Sequence, residues 1–389
     1  MKIAIISPGI LPVPAIQGGA VENLTDFYLD YNDIHHIHDI TIYSAYHPDA
    51  LTHHALSSTV NHYKFINVNS WKFKVGMKLY ALFPHETCYY HDLEYYFKLV
   101  YNKMKGRKYD MVILENRPGF AIKLRKLMPN VRIVSHIHTN TIHSDSIQNK
   151  QIIEATDLFI TVSQYIKNAI LSIGEPVKTK VVYNGLNTAF FNTNSQPIGR
   201  DKLGFKETDF IIVFSGRLIP GKGIEELLLA MQKLTHQKDI KLLVLGAANF
   251  ADKKALSPFM EKLHNIADTM HDKVVFTGFI PYQQLPQYLK MANIMVVPSH
   301  INEAFGMTCI EGCAIGLPVI ATDDGGIPET LTENKHILVD KDGDLPQLLA
   351  NAILTIKNNY SDYQGNTLNP MFTKENYAKS FFDCLNELN

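Results

Sequence analysis

The stretch "FSGRLIPGKGIEELLLA", residues 214–230, contains an apolar run, a glycine-rich loop and a segment of helical length. The apolar run predicts a buried strand, and the helix is expected to begin near Ile224. This order of strand, loop and helix is the repeating unit of parallel α/β sheets. The stretch therefore predicts an α/β fold.

The same alternation continues on both sides of this stretch. The first set of β-rich runs is "KIAIIS", "DITIYS", "DMVILE", "VRIVSHI", "DLFITVS" and "KVVYNG", and the second is "FIIVFSG", "IKLLVLG", "KVVFTGF", "NIMVVPS" and "LPVIAT". Helical patterns such as "AVENLTDFYLDY", "DLEYYFKLVYNKMKG" and "LPQYLKMA" lie between several of them. Near-continuous apolar strands that alternate with helices predict doubly wound parallel sheets covered on both faces.

A polar segment, "NTNSQPIGRDKLGF", interrupts the alternation before it restarts. The chain has 389 residues, more than one domain usually holds. We therefore predict two Rossmann-like domains, residues 1–190 and 200–370, with a linker near 188–205. The two domains are expected to face a cleft at the carboxyl ends of their strands, where ligands bind in such sheets. Residues 371–389 predict a C-terminal helix, for which the first domain is a candidate docking surface.

Composition excludes several classes of protein. The net charge of −1 does not favour nonspecific binding to nucleic acid. The N-terminal apolar run is short and broken by prolines, which predicts a first strand instead of a signal peptide. No apolar stretch approaches the roughly 20 residues that a membrane helix needs. The four cysteines are scattered without a CxxC pair, which fits a reducing cytoplasm.

One segment is strongly basic. Residues 61–130 contain 13 Lys and Arg against 5 Asp and Glu, a local charge of +8. Aromatic residues are interleaved with these cations, as in "SWKFKVGMKLYALFPH". Helices with solvated lysine faces would explain the pattern. The alternative is a surface that rests on anionic lipid head groups, which would make the protein peripheral at the inner face of the cell membrane.

The loop of residues 214–230 has the features of a phosphate site. Arg217 and Lys222 flank a loop with three glycines that leads directly into a helix. Exposed N–H groups at a helix start and two nearby cations suit a diphosphate. The loop is not a Walker P-loop, because Gly223 stands where the Ser or Thr would follow the lysine. A tight βα turn with two incidental surface cations is the alternative.

A second stretch, "NEAFGMTCIEG" (302–312), places two glutamates eight positions apart among small and apolar residues. A helix is predicted from about Phe305 or Gly306 to Gly316, so Glu303 precedes it and Glu311 lies within it. A buried carboxylate needs a partner. The pair could therefore bind ligand hydroxyls while N–H groups at the helix start face phosphate. Helix-dipole complementation and one exposed helix residue would explain either glutamate alone, but explain the combination poorly.

These residues resemble the E-x7-E motif of retaining glycosyltransferases of family 4, of the type that builds bacterial surface polysaccharides. The likeness extends to "EGCAIGLPVIATDDGGIPE" and "GRLIPGKG", and is most specific within residues 214–330. "VYNGLN" (182–187) resembles the family's Asn-Gly element, "IQGGAVE" (16–22) its glycine loop, and "SHIHTN" (135–140) its His-Thr segment. The likeness is weaker from 45 to 110.

The resemblance implies a GT-B fold and transfer of a sugar from a nucleotide donor with retention at the anomeric carbon. It also implies that residues 1–190 bind the acceptor and residues 200–370 bind the sugar nucleotide. Arg217 and Lys222 would neutralise the donor's diphosphate and stabilise it as it leaves. Glu303 would hold the donor sugar, and His138 would hydrogen-bond that sugar and face the acceptor. The family's front-face mechanism, in which the leaving phosphate takes the acceptor's proton, needs no nucleophilic side chain.

The resemblance also implies a set of donor-binding residues on both domains: Gly18, Gly19, Gly278, Phe279, Phe305, Gly306, Met307, Thr308 and Glu311. Glu311 would hold the ribose, and Gly278 and Phe279 would lie near the base. Ala304 and Asn187 depart from the family's frequent Pro and Asp, and "LGAANF" (245–250) lacks its glycine-rich turn. The last departure affects how the base and ribose are recognised.

Two segments could be mistaken for metal sites. "DIHHIHDI" (33–40) clusters histidines, but it lies just before a strand and has no nearby cysteine, so a solvated turn is expected. "DKDGD" (340–344) contains a D-x-D in a glycine-containing turn. Cationic side chains already serve the phosphate, so we predict an enzyme that needs neither metal nor other cofactor.

The predicted function is a hexosyltransferase that uses a UDP-hexose or UDP-N-acetylhexosamine. The predicted acceptor is a saccharide, lipid-linked, in cell-surface polysaccharide assembly. The alternatives are a GT-B sugar-nucleotide epimerase, a phosphorylase, which would need a pyridoxal-phosphate lysine, and a non-catalytic partner subunit. A dehydrogenase is disfavoured, because the first βα junction lacks G-x-G-x-x-G.

Overall fold

The computed structural model describes residues 1–83, 88–192, 194–247 and 257–388. The chain divides into two compact units. Unit 1 comprises Met1–Gly185 and Lys374–Asn389, and unit 2 comprises Leu186–Thr373. The chain therefore leaves unit 1 once and returns to it at its C-terminal end.

Unit 1 is built on a seven-stranded parallel sheet of order β3-β2-β1-β4-β5-β6-β7. Its strands are β1 Lys2–Ile6, β2 Asp39–Ala45, β3 Asn61–Ile66, β4 Met111–Glu115, β5 Arg132–Ile137, β6 Leu158–Thr161 and β7 Thr179–Val181. The helices that follow them are α1 Ala20–His35, α2 Trp71–Ala81, α3 His91–Met104, α4 Phe120–Leu127, α5 Asn149–Ala155 and α6 Gln164–Leu171. Alternate residues of β1 pack into two different hydrophobic clusters, one on each face of the sheet. Helices therefore cover the sheet on both faces, as predicted.

Unit 2 repeats the plan with a six-stranded parallel sheet of order β10-β9-β8-β11-β12-β13. Its strands are β8 Phe210–Ser215, β9 Ile240–Leu245, β10 Val274–Gly278, β11 Ile294–Val297, β12 Val319–Thr322 and β13 His336–Val339. Its helices are α7 Ile224–Lys233, α8 Pro258–Asp268, α9 Leu285–Leu289, α10 Met307–Ile315, α11 Leu345–Asn358 and α12 Tyr360–Tyr363. Both units thus place their strand-to-helix loops at the carboxyl edge of a parallel sheet.

The last helix, α13 (Lys374–Asn386), packs on α1 in unit 1. The ring of Phe381 stacks on that of Tyr28 at 4.2 Å and 7°. Tyr377, Phe382 and Leu385 are also buried in the core of this unit. The C-terminal helix therefore supplies part of the hydrophobic core of unit 1.

Two strands of the structure are missing from the prediction, β3 and β13. Both lie at an edge of their sheet. The middle of β3, around Tyr63, is only partly buried, so its sequence mixes polar and apolar residues and lacks the apolar run of a central strand. The mixed sequence of β3 thus hides this edge strand from a search for apolar runs.

The histidine tract is only partly a solvated turn, contrary to the prediction. Helix α1 extends through His35, and His36 ends it in the left-handed conformation. His38 is buried and packs edge-on against Phe382 of α13, with its pKa lowered chiefly by burial. No helix among the described residues has both the length and the apolar character needed to cross a membrane.

Candidate functional site

The glycine-rich loop of unit 2 joins β8 to α7 at the carboxyl edge of the sheet. Gly223 precedes α7 with a φ of 73°, and a Cβ there would collide with the carbonyl oxygen of Pro298. The backbone N–H of His300 donates to the carbonyl of Gly221 at 2.8 Å. Only glycine at position 223 lets the start of α7 approach the loop after β11 so closely.

A cavity of about 190 Å³ opens beside this loop, where β8, β9 and β10 end. It is lined by Ser215, Gly216, Arg217, Leu245, Gly246, Ala247, Phe279, Ile280 and Leu285. Phe279 is 52% exposed, and Gly278 before it ends β10 with a φ of 73°. An exposed aromatic ring and a guanidinium at one cavity suit a flat base that carries phosphate.

Lys222 forms an ion pair with Glu303 across the two loops. Ser299 donates a second hydrogen bond, at 2.9 Å, to the same carboxylate oxygen. The two charged side chains are 22% and 19% exposed, so solvent still reaches both. The structure thus brings these two predicted site residues into direct contact.

The backbone around Glu303 is held by the "DDGG" segment, for which the sequence suggested no role. The N–H of Glu303 donates to the Asp324 carboxylate at 3.0 Å, and Lys341 pairs with the other oxygen of Asp324 at 2.6 Å. Gly325 packs on the carbonyl of Glu303, where any Cβ would collide. Asp324 is therefore a supporting residue that fixes the loop before α10.

Helix α10 begins one residue after Gly306 and ends before Gly316, close to the predicted bounds. Met307 and Thr308 form its first turn, where backbone N–H groups lack intrahelical acceptors. Phe305 is 3% exposed and packs edge-on against Phe372. Its side chain therefore belongs to the core, and what it can offer a ligand is its backbone.

Glu311 lies on α10 and is buried. Burial raises the pKa of its carboxyl to about 8. The group also contributes to raising the pKa of the nearby Tyr282 phenol, although burial is the larger cause there. A buried carboxyl with this pKa is mostly protonated at neutral pH, and a ligand with hydroxyl donors would stabilise its anion.

In unit 1, Gly18 and Gly19 lead directly into α1. Gly19 has a φ of 100°, and the Glu22 carboxylate folds back over it, so that a Cβ at this position would collide with an oxygen. Burial is the main reason that the pKa of Glu22 is raised to about 7. Glu22 is a buried acid at this loop that the sequence analysis missed.

His138 follows β5 in unit 1, and its Nε2 lies 2.9 Å from the Glu115 carboxylate. Nδ1 of His136, which lies on β5 two residues before His138, is 3.1 Å from the same carboxylate. The Tyr28 hydroxyl donates a hydrogen bond to this carboxylate at 2.8 Å. Burial alone would raise the pKa of Glu115, but the interaction with His136 and the hydrogen bonds from both imidazoles hold the pKa well below its usual range. Burial and His136 lower the pKa of His138 to about 4.

Comparisons with known proteins identify the family of the chain. Residues 195–367 match the family model of group 1 glycosyl transferases, and residues 35–190 match that of glycosyltransferase family 4. The chain is a glycosyltransferase of this group.

Among its relatives, this glycosyltransferase is 26% identical to spore coat protein SA of Bacillus subtilis, over 91% of the chain and 89% of the relative. It is 27% identical to the lipopolysaccharide 1,2-N-acetylglucosaminetransferase of Salmonella typhimurium, over 59% and 58% of the two chains. The crystal structure of Anabaena HepE in complex with UDP and glucose superimposes with a TM-score of 0.74 at 20% identity, over all of both chains. The GT-B fold is thereby confirmed.

The predicted site residues of the glycosyltransferase fall into three groups. Arg217 and Phe279 line the cavity of unit 2, with Gly278 directly before Phe279 at the end of β10, and Lys222 and Glu303 pair at the glycine loop. The remaining unit 2 residues lie in or directly before α10. Gly18, Gly19 and His138 belong to unit 1. In the departing segment "LGAANF", residues 248–250 lie outside the described part of the chain.

Glu115, His136 and His138 of the glycosyltransferase are also a group that could hold a metal, since their donor atoms lie within 4.8 Å of one another. The donors are instead joined to each other by hydrogen bonds. The sequence carries a signal for this group: His136 lies near the end of β5, His138 follows two positions later, and Glu115 ends the neighbouring strand in register with His136. In "DKDGD", Asp344 accepts a hydrogen bond from Gln347 N and caps α11.

Proposed function

We propose that this glycosyltransferase transfers a hexose or N-acetylhexosamine from a UDP-sugar to a saccharide acceptor, with retention at the anomeric carbon. The observation that carries the proposal is the Lys222–Glu303 pair at a glycine loop and helix start, beside the cavity that Arg217 lines. Two cations and the helix N–H groups suit a diphosphate, and the carboxylate suits sugar hydroxyls. That HepE binds UDP and UDP-glucose supports a uridine nucleotide.

The proposed mechanism depends on charge that develops as the sugar–phosphate bond breaks. Arg217 and Lys222 stabilise the departing diphosphate more than the bound donor, which lowers the barrier. The leaving phosphate takes the proton of the acceptor hydroxyl on the same face of the sugar, so the configuration is retained. Gly18, Gly19 and His138 serve the donor and acceptor from unit 1. These cations make a metal ion unnecessary, and no cofactor is involved.

The acceptor that we propose is a lipid-linked saccharide in the assembly of a surface polysaccharide. That the Salmonella relative is a lipopolysaccharide 1,2-N-acetylglucosaminetransferase supports this class of acceptor. A membrane-embedded acceptor would require the enzyme to reach a lipid surface, and helix α2 of unit 1 offers a suitable face.

Exposed apolar side chains follow one side of α2 and the residues just after it: Trp71, Val75, Leu79, Leu82 and Phe83. On the opposite side, Phe73 and Tyr80 pack against Tyr95 of α3. Lys72, Lys74 and Lys78 are exposed around the apolar side, and α2 contains no acidic residue. An apolar stripe with flanking lysines is the pattern of helices that lie in the surface of an anionic bilayer. Part of the basic segment, residues 84–87, lies outside the described residues.

The catalytic proposal is tested by incubating the purified protein with a panel of nucleotide sugars. A matching UDP-sugar at 100 times its Kd should stabilise the protein by about 2.7 kcal/mol in thermal unfolding. With a saccharide acceptor, UDP release should follow and continue in EDTA, and an α-linked donor sugar should give an α-linked product. Conversion of the donor sugar without acceptor would instead identify an epimerase. Equal stabilisation by adenine and uridine nucleotides would contradict the assigned donor.

The membrane proposal has a specific probe, because Trp71 is the one tryptophan of the sequence. We expect its fluorescence to shift to shorter wavelength with vesicles that contain phosphatidylglycerol, and much less with pure phosphatidylcholine. Added salt should weaken binding, since each lysine near an anionic surface contributes about 1 kcal/mol.

Leu79→Glu should abolish the shift, because it places a charge in the middle of the apolar side. Leu171→Glu on α6, another exposed leucine of unit 1, is the matched control and should bind like the wild type. Vesicle binding that is equal in the two variants would rule out α2 as the contact surface.

A further inference from the structure

The Glu115 carboxylate is surrounded by hydrogen-bond donors. It is 0% exposed, and its pKa is held low, so it remains an anion. An ionised carboxylate only accepts hydrogen bonds. The hydroxyl of Tyr28, Nδ1 of His136 and Nε2 of His138 must therefore each carry the hydrogen that they share with it.

This arrangement determines the other nitrogen of His138. A neutral imidazole has one N–H, and in His138 that hydrogen is on Nε2, so Nδ1 is a bare acceptor. Its pKa of about 4 keeps the ring neutral at physiological pH. Nδ1 is buried and has no hydrogen-bond partner in the described part of the chain. An unpartnered buried acceptor is costly, and a ligand hydroxyl would satisfy it.

The backbone around His138 is fixed as well. Asn116, with a φ of 52°, accepts hydrogen bonds from the His138 N–H at 3.1 Å and from the Thr139 hydroxyl at 2.9 Å. The imidazoles of His136 and His138 lie 4.0 Å apart, centroid to centroid. Position and tautomer of the ring are thus set by neighbours that would not themselves touch a substrate.

We propose that Glu115 is a positioning residue that holds His138 as its Nε2–H tautomer, so that Nδ1 accepts a hydrogen bond from a sugar hydroxyl. The inference rests on the proposed role of His138 in sugar transfer. It adds a chemical requirement for the substrate: the group that meets His138 must be a hydrogen-bond donor. An analogue that replaces that hydroxyl by fluorine or a methoxy group would be rejected, because it has no hydrogen to donate.

Glu115→Gln gives a specific outcome. Tyr28 donates to Oε1, while Nδ1 of His136 lies 3.2 Å from Oε1 and 3.1 Å from Oε2, so the amide oxygen is expected to take the Oε1 place that faces the Tyr28 hydroxyl. The amide NH₂ then faces Nε2 of His138 and donates to it, which moves the ring hydrogen to Nδ1. His138 would present a donor where the wild type presents an acceptor.

Nitrogen NMR of protein labelled in its histidine rings measures this directly. The His138 signal is identified as the one missing from His138→Asn. We expect the Nε2–H tautomer in the wild type, in Glu115→Asp and in Tyr28→Phe, and the Nδ1–H tautomer in Glu115→Gln. Turnover should fall about 100-fold in Glu115→Gln, as for a misoriented catalytic group, with Tyr28→Phe within about threefold of wild type.

Three results would overturn the proposal. They are the Nδ1–H tautomer in the wild type, wild-type turnover in Glu115→Gln, and stoichiometric binding of Zn²⁺ that Glu115→Gln abolishes. The tautomer is measured without substrate, so an Nδ1–H tautomer in the wild type would overturn the assignment even if Glu115→Gln does not fold. If the wild-type protein transfers no sugar, the proposed function is refuted. The tautomer measurement still tests the protonation of His138, because it does not depend on turnover.

Discussion

Replacing Lys222 by alanine is expected to lower kcat/KM for the UDP-sugar about 10³-fold, the loss typical of removing a group that stabilises charge in the transition state. Lys222 lies two residues before the start of α7, so in the proposed mechanism its charge and the helix N–H groups act on the same leaving phosphate. Arg217→Ala should cause a loss of similar size. In both variants kcat should fall more than KM rises, because the interaction strengthens as the bond breaks.

Lys357→Ala is the matched control for Lys222→Ala. The side chain of Lys357 is 20% exposed, and that of Lys222 is 22% exposed. Lys357 pairs with Asp239, which lies directly before β9, at the amino ends of the strands of the same sheet. Both variants remove a lysine from an ion pair in unit 2, but only one of the lysines lies at the glycine loop. UDP release is measured under single-turnover conditions, and thermal unfolding checks the fold. Equal activity of the two variants would refute the role of Lys222.

The second large effect is proton release when UDP binds. Glu311 has a pKa of about 8 in the free protein, so roughly nine-tenths of the molecules carry its proton at pH 7. If the ribose diol donates two hydrogen bonds to this group, the bound state favours the anion. Binding at pH 7 should therefore release about one proton per UDP from Glu311.

The sign of the pH dependence follows from this exchange. Below pH 8 the free protein must lose a proton before it binds the diol, so affinity should rise with pH from 6 to 8, by at most about tenfold per unit. Above pH 8 the carboxylate is already ionised, and the rise should stop. In Glu311→Gln both the proton release and this rise should be lost, and affinity at pH 8 should fall roughly 10- to 100-fold, as expected for lost charge-assisted hydrogen bonds.

Calorimetric titration with UDP, in two buffers of different ionisation enthalpy, measures the protons released. The phosphate of UDP can exchange protons too, so the informative quantity is the difference between wild type and Glu311→Gln. A difference of zero would show that Glu311 does not meet the ribose. Glu329→Gln, in the same unit, controls for the loss of one negative charge.

The sequence predicted the architecture well because central strands of parallel sheets have apolar runs. The bounds of α10 could also be read, since Gly306 and Gly316 mark its ends. An edge strand has one side without a neighbouring strand, so its sequence need not be continuously apolar. The edge strand β3 escaped because its sequence mixes polar and apolar residues, which does not account for β13, His336–Val339.

The sequence predicts candidate site residues one by one, but not the contacts between them. Lys222 and Glu303 stand 81 positions apart, and nothing in their local sequence states that they pair. Asp324 and Glu115 were missed because each acts through another residue. Such supporting groups become visible only when strands and loops distant in sequence are brought together.

The return of α13 to unit 1 has a consequence for how the protein is made. A ribosome that has synthesised residues 1–185 has not yet produced the aromatic side chains of Tyr377, Phe381 and Phe382, which complete the hydrophobic core around Tyr28. The nascent N-terminal half therefore exposes apolar surface while residues 186–373 are translated. Chaperones that shield such surfaces would therefore matter most for the half that emerges first.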